Sequence, residues 1–150
     1  MTELYDMDLS SFLRRRSGVV AQKVALEISR EITTGMAYVH QTGILHRDIK
    51  PQNVMVSFDV DKGVMRAVLA DFGLARWVPR REEDERAAAK DLLASLQGQG
   101  KLMTRSVVTI WYRAPEILLA DEIAPLVRYT SAIDVWSLGC VMYELVQGKV

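Results

Sequence analysis

The sequence has few of the features that mark secreted, membrane-spanning or nucleic-acid-binding proteins. Its single cysteine, Cys140, cannot form an internal disulfide, so we expect an intracellular location, cytoplasmic, nuclear or both. No apolar run reaches about 18 residues, and the N-terminus lacks the basic-then-apolar order of a signal peptide, so no membrane partner is expected. The 19 basic and 19 acidic residues cancel, and nothing in this balance favours nucleic acid.

The composition indicates one globular domain with a real core, because 49% of the 150 residues are hydrophobic and 25% are charged. A first helix is predicted after Asp8, which would cap it. Apolar residues every three or four positions predict a second helix over 20–41, ended by Gly43. A third helix over 131–147 is apolar on nearly every side, which predicts that it is buried and that Cys140 is a core residue.

Two short β-like runs, 54–58 and 64–69, flank a turn at 59–63 and predict a hairpin. The expected fold class is therefore mainly α with a small β-hairpin. Residues 77–106 change in composition, from highly charged to Ala- and Leu-rich, and indicate a surface insertion with a short helix. This insertion is either a tolerated loop or a docking or regulatory element.

The residues with the clearest chemistry are His46-Arg47-Asp48-Ile49-Lys50-Pro51-Gln52-Asn53. An Asp can accept or orient a hydroxyl proton, a Lys two residues later can neutralise a phosphoryl group in transfer, and an Asn five residues later can bind Mg²⁺. The second β-like run ends just before Asp71. We therefore expect Asp48, Asn53 and Asp71 to meet at one metal–phosphate site.

Together with Asp71-Phe72-Gly73 and Ala114-Pro115-Glu116, this octet resembles the eukaryotic protein kinase family. Lys50 is similar to the Ser/Thr kinases, and the longer motifs resemble cyclin-dependent kinases most closely, with mitogen-activated kinases next. The resemblance runs from about Glu3 to Val150. It implies ATP and Mg²⁺ as cofactors and protein Ser/Thr substrates, with a possible preference for a following Pro and a possible cyclin-like regulator.

The resemblance also assigns roles to single residues. It implies a catalytic role for Asp48, Lys50 and Thr109. It implies nucleotide contacts for Glu3, Tyr5, Asp8, Lys50, Asn53, Met55 and Asp71, with Asn53 and Asp71 as the metal ligands. Phe72 is expected beside the catalytic loop, and Asp134 is expected to hydrogen-bond the backbone of that loop. His40 is interpreted as a helix-end histidine rather than a ligand.

Thr104 stands where these families carry an activating phosphothreonine, with Arg47 and Arg76 matching the arginines that bind its phosphate. The alternative is an ordinary loop threonine. Another basic group, Arg14-Arg15-Arg16, is interpreted as a solvated helix end.

The sequence also departs from the family, because it holds no Gly-rich loop, no Val-Ala-Ile-Lys strand and no helix that supplies the Glu partner of that Lys. We therefore expect a partial kinase C-lobe over 1–150 without the N-lobe, inefficient in phosphoryl transfer. Glu116 is expected to be buried without its family partner, at a cost on the order of 3–5 kcal/mol. The alternative is that the short chain is a non-catalytic, kinase-like binding module.

Overall fold

The computed structural model describes residues 5–16, 20–59, 64–78, 110–118 and 130–148. These residues contain three long helical elements, α1 (Leu9–Arg15), α2 (Gln22–Gln41) and α3 (Ala132–Gln147), and a further helical segment over 115–118. They also contain five strands: β1 (Met7–Asp8), β2 (Ile44–Leu45), β3 (Val54–Asp59), β4 (Val64–Leu69) and β5 (Arg76–Trp77). Short 3₁₀ turns lie at Pro51–Asn53, Phe72–Leu74 and Ile110–Tyr112. None of the helices in these ranges has the length and apolar character that a membrane span requires. The helix predicted in the 77–106 insertion lies outside the described residues.

Helix α1 begins where the sequence predicts, because Asp8 caps it. The Asp8 carboxylate accepts hydrogen bonds from the backbone N–H of Ser11 at 2.8 Å and from its hydroxyl at 2.6 Å. Burial alone would raise the pKa of Asp8, but the bonds from Ser11, together with a bond from its own backbone and the charge of Arg14, hold that pKa below its ordinary value of 3.8. The buried face of the helix consists of Leu9, Phe12 and Leu13.

Helix α2 confirms the predicted apolar stripe, since its buried residues are Ala25, Ile28, Ile32 and Met36. The chain leaves the helix through Gly43, whose φ of +81° is strained for any other residue. A Cβ at this position would also lie 3.2 Å from the indole nitrogen of Trp77. The turn therefore depends on glycine both for its backbone conformation and for its space.

The predicted hairpin is present, with β3 and β4 antiparallel and Val54 opposite Leu69. It belongs to a larger sheet than expected, because β1 pairs with the other edge of β3 and places Asp8 opposite Met55. Strands β2 and β5 form a second antiparallel pair within the described residues. The expectation of a single hairpin was too simple, because strands of two residues carry no readable alternation.

The main core lies between α2 and the inner face of the β3–β4 hairpin, with α1 and α3 closing it. Its fully buried side chains include Leu9, Ile28, Ile32, Val54, Val56, Val141 and Leu145. A smaller cluster of Leu45, Ala114 and Ile133 lies under the β2–β5 pair. The core therefore supports the hairpin from one side and the loop between β2 and β3 from the other.

The prediction that α3 is buried on every side is wrong. Its buried face carries Leu138, Val141 and Leu145, whereas Val135, Trp136, Tyr143 and Val146 are exposed. High hydrophobicity without a period cannot say which face packs, and only one face meets α2 and the Ile110–Tyr112 turn. Cys140 is partly buried and packs against the core, and this burial raises the pKa of its thiol.

The expectation for Glu116 is also wrong, because its side chain is exposed. Glu116 lies two residues after the buried Ala114, in the helical segment over 115–118. Its side chain is on the outer side of that segment. An exposed carboxylate keeps its hydration, so the expected penalty for an unpaired buried charge does not apply.

The two faces of α3 predict opposite outcomes for truncation. Leu145→Ala should lower the free energy of unfolding by about 2–5 kcal/mol, because the side chain is fully buried and its removal leaves a cavity. Val146→Ala, at a side chain that is 72% exposed, should change it by no more than about 0.5 kcal/mol. Urea denaturation followed by circular dichroism measures both, and equal losses would contradict the described packing.

Candidate functional site

Asp48, Lys50 and Asn53 gather as their spacing predicts. The Lys50 ammonium lies 2.7 Å from Asp48 Oδ2, and the side-chain nitrogen of Asn53 donates to the same oxygen at 2.9 Å. The Asn53 nitrogen also donates to the backbone oxygen of Asp48 at 2.8 Å. No donor in the described part of the chain binds Asp48 Oδ1 or the amide oxygen of Asn53, so both oxygens remain available to a ligand.

The cluster forms because a tight turn brings Asn53 back toward Asp48. The Pro51–Asn53 turn begins at Pro51, whose fixed φ suits that position, and the backbone N–H of Asn53 donates to Lys50 at 2.9 Å. From there the chain enters β3 directly. The turn therefore couples the polar cluster to the sheet beside it.

Asp71 is held next to this turn through its neighbour Ala70. The backbone N–H of Ala70 donates to the Asn53 carbonyl at 2.8 Å. Asp71 itself has a φ of +60°, and its carboxylate accepts from the Gly73 N–H at 3.2 Å. Its side chain is exposed. Asp71 thus directly follows the residue whose N–H bonds Asn53, and its place at a shared metal site stays a prediction.

His46 links the same two segments from within the core. Its side chain is fully buried, its Nε2 donates to the Ala70 carbonyl at 3.0 Å, and its Nδ1 faces the Asp48 N–H at 3.4 Å. The Phe72 ring lies with its centroid 4.7 Å from that of His46, tilted by 54°, which is the expected place beside the loop. Because a carbonyl oxygen can only accept, the contact with Ala70 requires a proton on Nε2 of His46. Through Ala70 and Phe72, His46 joins the loop to the residues on both sides of Asp71.

Asp134 fixes the loop backbone in the way that the resemblance implies. Its carboxylate, only 1% exposed, accepts from the backbone N–H groups of His46 and Arg47, both at 2.8 Å. Arg47 has a φ of +69°, a conformation that non-glycine residues seldom adopt. Charge-assisted bonds to both N–H groups hold the backbone in this conformation.

His40 is a residue whose part the sequence interpretation missed. Its Nε2 lies 2.8 Å from Asp134 Oδ2, so it is a further donor to the carboxylate that holds the loop. The two residues are 94 positions apart, and His40 is placed by the end of α2. Only the contact between α2 and α3 reveals this role, because a helix-end histidine has no local signature of a distant partner.

The residues implied on the nucleotide side lie on β1 and β3. Met55 is partly buried between Asp8 on one side and Val68 on the other, and Tyr5 is partly buried just before β1. Both carboxylate oxygens of Asp8 bind Ser11, so the helix cap already uses this side chain. Met55, on the middle strand of the sheet, and Tyr5, just before the edge strand β1, remain predicted nucleotide contacts.

Three of the implied functional residues, Glu3, Thr104 and Thr109, lie outside the described residues. The arginines assigned to Thr104 are described. Arg76 pairs in β5 with Leu45 of β2, and Arg47 follows Leu45 by two residues. The β2–β5 pair therefore brings both arginines to the same end of the loop.

A second anchor missed by the sequence interpretation ties the Ile110–Tyr112 turn to α3. The Tyr112 hydroxyl donates to the Glu144 carboxylate at 2.6 Å, and the Ser137 hydroxyl donates to the Tyr112 carbonyl at 2.6 Å. Burial, followed by the hydrogen bond to Glu144, raises the pKa of Tyr112 well above its ordinary value. Tyr112 is therefore a neutral donor that satisfies a buried carboxylate.

The oxygen donors at the site suit a magnesium ion that is shared with a nucleotide. Mg²⁺ in such sites takes one or two protein oxygens and completes its shell with phosphate and water. The amide oxygen of Asn53 and the carboxylate of Asp71 are donors of this kind. Within the described ranges, no group of three His, Cys, Asp or Glu side chains is placed to hold a metal on its own.

Comparison with known proteins adds independent information. A model of the protein kinase domain family matches residues 1–150. The chain is 36% identical over 148 residues to cell division control protein 2 homolog 3 of Trypanosoma brucei brucei. It is 38% identical over 149 residues to cyclin-dependent kinase 12 of Caenorhabditis elegans, and 36% identical over 148 residues to mitogen-activated protein kinase 3 of Arabidopsis thaliana.

These alignments cover 99%, 98% and 99% of the chain, but only 39%, 16% and 32% of the three relatives. Among solved structures, a chain in the crystal structure of the yeast RNA Pol II CTD kinase CTDK-1 complex matches with a TM-score of 0.66 and 29% identity. That match covers 95% of this chain and 38% of the other. The chain therefore corresponds to well under half of each of these proteins.

The Asp134 network predicts a specific cost for losing one charge. Asp134→Asn should lower the free energy of unfolding on the order of 3 kcal/mol, because an amide offers one acceptor where the carboxylate serves His40, His46 and Arg47. Urea denaturation measures it. The matched control is Asp6→Asn at an exposed carboxylate that accepts from the Phe58 N–H at 3.3 Å. An equal effect of the two variants would contradict the assignment.

Proposed function

The chain belongs to the protein kinase domain family, and from this premise we propose that it carries the catalytic-loop side of a Ser/Thr protein kinase of the cyclin-dependent and mitogen-activated type. The observation that carries the proposal is the cluster of Asp48, Lys50 and Asn53, with contacts of 2.7 and 2.9 Å onto one carboxylate oxygen. These contacts support a role for the three residues in metal-assisted phosphoryl transfer.

In this proposal, Mg²⁺-ATP supplies the phosphoryl group, and the chain supplies position and charge. Asp48 orients the hydroxyl of the protein substrate through Oδ1 and accepts its proton, because Oδ2 is occupied by Lys50 and Asn53. Lys50 places a positive charge beside that hydroxyl and offsets the charge on the group in transfer.

Asn53 and Asp71 are the proposed ligands of the metal. Because the Asn53 nitrogen is engaged by Asp48, its oxygen has a fixed direction. Ala70, the residue before Asp71, bonds both Asn53 and His46, and this supports a place for Asp71 beside Asn53. These hydrogen bonds also hold the loop, which supports a preorganised pair of ligands.

The finer assignments rest on the same resemblance. The relatives include both cyclin-dependent and mitogen-activated kinases at similar identity. Ser106, two residues after Thr104, stands where mitogen-activated kinases carry Tyr, which favours the cyclin-dependent subgroup. We accordingly propose protein Ser/Thr substrates, a preference for a following Pro, and regulation by a cyclin-like partner.

We propose that residues 1–150 alone bind Mg²⁺-nucleotide weakly and transfer phosphate inefficiently. The sequence holds no Gly-rich loop and no Lys in a Val-Ala-Ile-Lys strand, so these groups cannot assist from within it. The competing function, a non-catalytic binding module, gives no reason for the intact cluster of Asp48, Lys50, Asn53 and Asp71.

Nucleotide binding tests the proposal directly. Calorimetric titration of the chain with ADP should show tighter binding in Mg²⁺ than in EDTA, and Asp71→Asn should remove most of this Mg²⁺-dependent gain, on the order of ten-fold in Kd. Asp6→Asn, at another exposed carboxylate that binds a backbone N–H, is the matched control. Mg²⁺-independent binding, or none at all, would support the non-catalytic alternative.

Robust peptide phosphorylation by the chain, abolished in Asp48→Asn, would contradict the proposed inefficiency.

Phosphorylation of Thr104 is a separate regulatory proposal, supported by the placement of Arg47 and Arg76 at one end of the β2–β5 pair. In active full-length protein, mass spectrometry should find phosphate on Thr104. Thr104→Ala should reduce kinase activity by at least about ten-fold, because two charge-assisted contacts are lost. Thr34→Ala, at an exposed helix threonine, should leave the activity unchanged. Full activity of Thr104→Ala would remove the proposal.

A further inference from the structure

Helix α1 ends in three consecutive exposed arginines, Arg14, Arg15 and Arg16. Among the described residues, no carboxylate forms a direct ion pair with any of their guanidinium groups, although the charge of Arg14 acts on the Asp8 carboxylate and helps to lower its pKa. A single cation in the last turn satisfies the helix dipole, and further like charges beside it repel each other. Three neighbouring charges without a direct ion pair among the described residues are therefore more than the helix end requires.

Two of the three guanidinium groups are already ordered by contacts that leave their charge intact. Arg14 donates to the Ser11 hydroxyl at 2.9 Å and to the Ser10 hydroxyl at 3.3 Å. Arg16 lies 4.9 Å above the ring of Phe12, which is buried. Because these side chains are already partly immobilised, they lose less conformational entropy when an anion binds than free arginine side chains would.

The cluster also lies beside the proposed catalytic site. Helix α1 packs against the Pro51–Asn53 turn, and it starts at Asp8, opposite Met55 in the sheet. Seven helical residues span about 10 Å, so the arginines stand roughly that far from the Asp8 end of α1. An extended peptide covers this distance in three or more residues.

We propose that Arg14, Arg15 and Arg16 bind an acidic or phosphorylated segment of the protein substrate, at least three residues from the Ser or Thr that is presented to Asp48. Guanidinium groups bind carboxylate and phosphate through paired hydrogen bonds, which favours arginine for this role. A protein segment is favoured over nucleic acid because the chain as a whole has no net charge. The identity of the ligand as a substrate rests on the proposed function.

Fluorescence anisotropy with labelled peptides tests this on the full chain without nucleotide. Three peptides share one target Ser and differ only in a distal residue pair, which is Glu-Glu, phosphoserine-Glu or Gln-Gln. The two anionic peptides should bind at least about ten-fold more tightly than the Gln-Gln peptide in low salt, and this advantage should shrink as salt is added.

The variants locate the binding. The combined Arg14→Gln, Arg15→Gln and Arg16→Gln variant should bind the anionic peptides about ten-fold more weakly. The matched control combines Lys23→Gln and Arg30→Gln at exposed cations of α2, and it should bind them as the native chain does. Replacing the three arginines by Lys should retain binding of the Glu-Glu peptide and lose part of the preference for phosphoserine. Thermal melts followed by circular dichroism verify that each variant folds.

Equal affinities for all three peptides would overturn the proposal, as would an equal loss in the α2 control. A single-stranded oligonucleotide that binds more tightly than the phosphopeptide, through the same arginines, would also overturn it. Because the assay contains no nucleotide, a chain that binds Mg²⁺-ADP but not the anionic peptides refutes this inference alone. In a catalytically active full-length protein, phosphorylation should then favour substrates whose anionic pair lies three or more residues from the target.

Discussion

One buried carboxylate fixes the backbone on which the rest of the site depends. Asp134 sits on α3 and accepts hydrogen bonds from the end of α2, through His40, and from the backbone of His46 and Arg47. Removing a charge from water is costly, and several donors must offset that cost. The same bonds hold Arg47 at a φ of +69°, so α2, α3 and the loop settle into one arrangement.

The fixed backbone of this loop determines where the polar side chains of the site lie. His46 points inward and bonds Ala70, while the tight turn after it returns Asn53 to Asp48. The segment before Asp71 is thereby held against the loop from two directions. Preorganised groups of this kind need little rearrangement when charge develops during a reaction, which is the property that phosphoryl transfer requires of its protein.

The sequence predicts the parts of this arrangement that depend on neighbours in the chain. The Asp8 cap, the apolar stripe of α2 and the β3–β4 hairpin all have signals within a few residues. The Asp48, Lys50 and Asn53 cluster is local too. The partners of His40 and Tyr112 lie far away in the chain, and the exposed face of α3 depends on what packs beside it, so no local pattern could reveal them.

The most direct test of this account is amide hydrogen exchange of the native chain at His46 and Arg47, followed by NMR. Both residues lie outside helices and strands, and their N–H groups donate to the Asp134 carboxylate. The account predicts exchange as slow as that of core amides in α2, since opening the loop requires breaking the buried network. Exchange at the rate of an exposed loop would contradict it.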